Sequence, residues 1–96
     1  MKSDEVMQIL KRNQSALRDF GVKSLSLFGS VARGESSEGS DVDFLVEFDR
    51  PTGFFGLIRL QYFLEDLLKC PVDLSTPAGL RPRMRERVMT EAIRVA

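Results

Sequence analysis

The chain has 96 residues, 43% of them hydrophobic, and its fourteen basic side chains are balanced by fourteen acidic ones. That length suits one small domain, and a formal net charge of zero supplies no global field to recruit nucleic acid or an anionic membrane. The absence of histidine and a single cysteine, Cys70, remove the commonest general base, most zinc schemes and any intrachain disulfide.

Residues 3–20 carry Val6, Ile9, Leu10, Leu17 and Phe20 at the recurrence of a one-faced helix. Ser3 is placed to cap its start and Gly21 to end it, with Lys11, Arg12 and Arg18 on a solvated face. A first strand is predicted over residues 22–28, with Leu25 and Leu27 facing the core and Ser24, Ser26 and, in register, Ser30 on the other side. Residues 29–46 then read GSVARGESSEGSDVDFLV, a strand end, a polar loop and a second strand. Side chains alternate across a strand, so Asp41 and Asp43 share one face while Val42, Phe44, Val46 and Phe48 take the other. Two carboxylates side by side are costly unless they are solvated, share a proton or hold a cation. Six acidic residues and no basic one fall between positions 35 and 49, which deepens the demand for a cation.

Arg50, Pro51, Thr52 and Gly53 break the strand, and a helix is predicted over residues 54–68. Its apolar residues cover more than one stripe, so its outer side is either a partner surface or buried within the domain. A short strand follows Pro71, with Val72 and Leu74 inward and Asp73 and Ser75 on the polar face. The last helix starts near Pro82, with Met84, Val88 and Ala92 along one side and Arg83, Arg87 and Arg94 near another. Cys70, with no histidine to activate it, reads as a small buried residue. No leading apolar segment resembles a signal peptide and no run is long enough to span a bilayer, so a cytoplasmic protein without membrane contact is expected.

Helix, strand, strand, helix, strand, helix makes a small α/β (α+β) sandwich, a mixed sheet with helices packed on one face. The other face carries Asp41, Asp43 and Asp73, three carboxylates of the kind that hold magnesium against phosphate oxygens. An EF-hand calcium loop needs another ligand spacing and a distal glutamate that is not found here.

Gly-Ser, ten intervening residues and Asp-x-Asp, within GSxARGE and SDxDxLV, resembles the signature of DNA polymerase beta-like nucleotidyltransferases. The surrounding residues are similar to the minimal nucleotidyltransferase (MNT) branch, and the resemblance covers the whole chain, residues 1–96, as one domain with a polymerase beta-like palm. It implies that Asp41, Asp43 and Asp73 are the catalytic, metal-binding residues, holding two Mg2+ ions, with ATP as nucleotidyl donor. It also implies that Gly29, Ser30 and Arg33 contact the triphosphate, Ser30 at the turn into a short helix over residues 31–33. Arg33 has a second reading, pairing with Glu35 on the surface, and Gly34 and Gly39 serve loop geometry.

MNT proteins of this length are commonly encoded beside a HEPN-domain ribonuclease and act as its antitoxin, transferring AMP from ATP to a tyrosine hydroxyl of the toxin. The resemblance therefore implies a protein-adenylylating antitoxin with a HEPN toxin as partner, docked by the apolar helix or the arginine-rich tail. Two alternatives stand beside it: an antitoxin that acts by binding and occlusion, and a transferase acting on a small molecule such as an aminoglycoside. A nucleic-acid polymerase is disfavoured, because the charge is balanced and no further domain is there to hold a template.

Overall fold

Two runs of alternating side chains form the centre of the molecule. In a computed structural model, which describes residues 2–29, 34 and 41–96, strands β1 (Val22–Phe28) and β2 (Val42–Phe48) pair antiparallel, with Leu25 opposite Val46 and Leu27 opposite Phe44. Strand β3 (Val72–Ser75) joins β2 in parallel, and β4 (Ile93–Arg94) joins β1 antiparallel, so the mixed sheet runs β3-β2-β1-β4.

The inward-facing residues of these strands are Leu25, Leu27, Val42, Phe44, Val46, Val72 and Leu74. Three helices cover them: α1 (Ser3–Arg12) with Val6 and Leu10, α2 (Gln14–Asp19) with Leu17, and α3 (Phe54–Leu68) with Leu60, Leu64 and Leu68. The spacing of Leu60, Leu64 and Leu68 at four-residue intervals aligns them on one side of α3. Truncating one of these to alanine removes buried hydrocarbon and leaves a cavity, a loss of about 2–5 kcal/mol. Phe20 and Phe63 extend the layer, their ring centroids 5.0 Å apart.

Four expectations are corrected here. The helix over residues 3–20 is broken at Asn13, whose amide donates to the Ile9 carbonyl at 2.7 Å and competes with the helical backbone. Ser3 is the first helical residue rather than the cap; Lys2 holds that position without a side-chain bond, and Asp4 and Glu5 in the first turn complement the helix dipole instead. The last helix, α4 (Pro82–Glu91), ends before Ala92, which is extended. Val95 is thereby drawn into the core, its N–H donating to the Leu25 carbonyl at 2.9 Å, and the chain gains a fourth strand where three were expected.

The face opposite α1 to α3 is not wholly polar. Leu45 alternates onto it with Asp43 and is only 4% exposed, and Val88 of α4 is 6% exposed; both lie outside the main core. Helix α4 runs beside the end of β1, where its residues share a concave lining with Phe28 and Gly29. The outer side of α3 resolves the two readings of its excess apolar residues: Phe54, Phe55 and Tyr62 are 70%, 76% and 66% exposed. Among the described residues no helix is long and apolar enough to cross a membrane.

Candidate active site

Parallel pairing of β2 with β3 sets two of the aspartates side by side along the backbone. The Val42 N–H donates to the Pro71 carbonyl at 3.0 Å, and the register that follows sets Val42 beside Val72 and Asp43 beside Asp73. Neighbouring strands lie about 4.8 Å apart, so the two aspartates start from adjacent backbone positions. Asp41, one residue ahead of β2, falls by alternation on the same face. Asp41 and Asp73 are exposed and Asp43 is half-buried.

On its other side Asp43 is opposite Phe28, and Gly29 follows with φ 77°. A Cβ at Gly29 would overlap the Asp43 carboxylate, coming within 3.1 Å of its Cγ and closer still to Oδ2. Glycine is thus required twice, by the left-handed backbone and by the approach of Asp43. The sequence assigned Gly29 to a phosphate; the structure gives it the carboxylate as an immediate neighbour. Gly34 also has a left-handed backbone, φ 75°, in keeping with a loop role. Ser30, Arg33, the short helix over residues 31–33, Glu35 and Gly39 lie outside the described residues.

Two residues that position this site escaped the sequence reading. Strand β3 is an edge, and the outward N–H and C=O of Val72 would otherwise lack sheet partners. Gln61 Nε2 donates to the Val72 carbonyl at 3.0 Å, and the Val72 N–H donates to Glu65 Oε2 at 3.0 Å. Gln61 and Glu65 stand one helical turn apart on α3 and clip the strand immediately before Asp73. A half-buried polar pair at i, i+4 in an apolar helix was the available signal, although nothing in the spacing identified Val72 as its target. Gln61 is accordingly occupied with the backbone, whereas Arg59 and Tyr62 face outward.

Cys70 is half-buried against the core, and burial pushes its thiol up, reinforced by the Glu65 and Asp41 carboxylates. It is therefore a protonated thiol at neutral pH, neither an activated nucleophile nor a thiolate ligand.

Among the described residues, no three histidine, cysteine, aspartate or glutamate side chains are grouped so that they could hold a metal ion, Asp41, Asp43 and Asp73 included. The donor set is nonetheless all oxygen, it lies on an exposed face, and Asp43 and Asp73 are in register. Magnesium fits such an open set, because it is commonly held by one or two carboxylates and completed by water and substrate phosphates.

The chain matches the model of the nucleotidyltransferase domain over residues 4–95. It is 38% identical over 93 residues to the protein adenylyltransferase MntA of Thermococcus cleftensis, covering 96% of this chain and 94% of that relative. A solved structure provisionally named a minimal nucleotidyltransferase has 39% identity and a TM-score of 0.83, covering 97% of this chain and 95% of the other. At 19% identity, the fold is shared with a chain from the complex of a tri-AMPylated Shewanella oneidensis HEPN toxin and its MNT antitoxin, with a TM-score of 0.69 over 95% of this chain and 71% of that one. The mixed sheet thus has its counterpart in a solved architecture, and the chain belongs to the nucleotidyltransferase-domain family, among the minimal nucleotidyltransferases.

Proposed function

We propose that this chain, as a single domain over residues 1–96, is a cytoplasmic antitoxin that transfers AMP from ATP to a tyrosine hydroxyl of a partner HEPN ribonuclease toxin and so inactivates it. The observation that carries the reading is the register of Asp43 and Asp73 on adjacent strands, with Gly29 against the Asp43 carboxylate. The relative from Thermococcus cleftensis is named a protein adenylyltransferase, and the Shewanella complex pairs an MNT antitoxin with an AMPylated HEPN toxin.

Asp41, Asp43 and Asp73 hold magnesium, two ions in this reading, which when bound neutralises the triphosphate and acidifies the incoming hydroxyl. The tyrosine oxygen bonds to the α-phosphorus as the bond between the α-phosphorus and the bridging oxygen to the β-phosphate breaks. Pyrophosphate departs with that electron pair, and Asp73, exposed at the sheet edge, takes the hydroxyl proton. Gly29, Ser30 and Arg33 hold the phosphates. The Phe54, Phe55 and Tyr62 surface of α3 docks the toxin, since an aromatic set of this exposure on a small domain marks an interaction face.

The same aromatic face favours a second reading, neutralisation by occlusion alone. Cells expressing the toxin separate the two. The double variant Asp41→Asn with Asp43→Asn keeps the fold, because it removes like-charge repulsion, and loses protection if transfer is the mechanism. Full protection by that variant would instead establish occlusion.

A further inference from the structure

The end of β1 away from Gly29 carries a group of cations that the transfer reaction does not use. Lys23 follows Val22, which pairs with Phe48 at the far end of β2 from Asp43, and Arg94 belongs to the edge strand opposite β3. With Arg18 of α2 they line a cavity of about 180 Å³ whose apolar wall is Leu17 and Val22. No aspartate or glutamate is among the lining residues. Although the chain is balanced in charge, Arg18, Lys23 and Arg94 take part in none of the ion pairs among the described residues. Arg94 Nε donates to the Ala96 carbonyl at 3.0 Å, and that oxygen also accepts from the Leu25 N–H at 3.1 Å. The guanidinium is thereby held against the strand with its terminal nitrogens left for a ligand.

We infer that this cavity binds a compact phosphate anion, either free pyrophosphate or the phosphate end of a monoester, at a site separate from the proposed catalytic one. The volume lies below the ~300 Å³ at which sites for drug-sized ligands begin, so the cavity takes an ion rather than a whole nucleotide. Guanidinium forks match phosphate oxygens in pairs, and an ammonium adds a point charge beside them. A multiply charged anion offsets the mutual repulsion of the three cations, whereas a single carboxylate would leave most of it in place. Leu17, only 2% exposed, keeps water from one wall, and attraction between charges strengthens where water is excluded. None of these residues belongs to the aspartate site, so the inference does not depend on the transferase reading.

Calorimetric titration of the full chain with pyrophosphate in EDTA tests this, because the aspartate face without magnesium repels anions. Wild type should bind at a single site, more weakly as salt is raised. Arg18→Gln with Lys23→Gln, both at exposed positions, should weaken binding at least about fivefold, the scale for losing charge-assisted hydrogen bonds. Arg12→Gln with Arg59→Gln makes the same change in net charge outside the cavity and should stay within about twofold of wild type. Phenyl phosphate in place of pyrophosphate separates the two sources: equal or tighter binding identifies the end of a phosphate ester, and weaker binding identifies the free ion. No uptake by wild type, or an equal loss in the two double variants, overturns the site; the chain's own acidic groups would then suffice for these cations.

Discussion

Gly29 and Cys70 illustrate how much a single position takes from its neighbours. At Gly29 an alanine must adopt the left-handed backbone and displace the Asp43 carboxylate, so Gly29→Ala should lower stability by about 1–2 kcal/mol in urea titration from the backbone alone. The same change should reduce AMP transfer by at least about tenfold, since Asp43 moves; unaltered transfer would detach Gly29 from the site. At Cys70 burial disfavours the thiolate, so the group titrates above an ordinary thiol. Iodoacetamide labelling should therefore show a pH profile displaced to higher pH than that of a cysteine peptide, and a profile displaced to lower pH contradicts this assignment. Alternation in the sequence was enough to put Asp41, Asp43 and Asp73 on one face. It could not show that Leu45, on that same face, would be buried, because alternation specifies a side of the sheet and not what covers it.

At the scale of elements, the edge strand that carries Asp73 is held by a helix as well as by its neighbouring strand. Gln61→Ala leaves the Val72 carbonyl without its side-chain donor and should cost about 1–2 kcal/mol. Looser placement of Asp73 should also lower kcat more than it raises KM for ATP. Glu65→Gln retains an oxygen that accepts from the Val72 N–H and should restore most of the function that Glu65→Ala loses. A pure loss of stability with normal kcat in Gln61→Ala would make the clip structural only. The strands and α3 were readable because each has a sustained period and a clear stop. Asn13 and β4 were not: one interruption in an amphipathic pattern leaves its periodicity intact, and two residues are too few to reveal alternation against the adjoining helix.

At the scale of the whole molecule, the order of elements was sufficient for a mixed sheet with helices on one face, but not for its fourth strand or for the burial of Leu45 and Val88 on the other side. The partner surface was less legible, because a helix apolar on more than one stripe is equally consistent with central burial. Only the packing of Leu60, Leu64 and Leu68 inward shows that Phe54, Phe55 and Tyr62 are left outside. Phe55→Asp should accordingly leave the thermal midpoint nearly unchanged and weaken association with the toxin by at least about tenfold, as expected for loss of an aromatic anchor. Equal affinity of variant and wild type would move the docking face elsewhere, with the arginine-rich α4 the next candidate. The most direct measurement is intact-mass spectrometry of the toxin after incubation with this chain, ATP and magnesium. AMP mass increments that appear with wild type and vanish with Asp41→Asn plus Asp43→Asn are the predicted result, and a toxin of unchanged mass beside folded wild-type protein would contradict it.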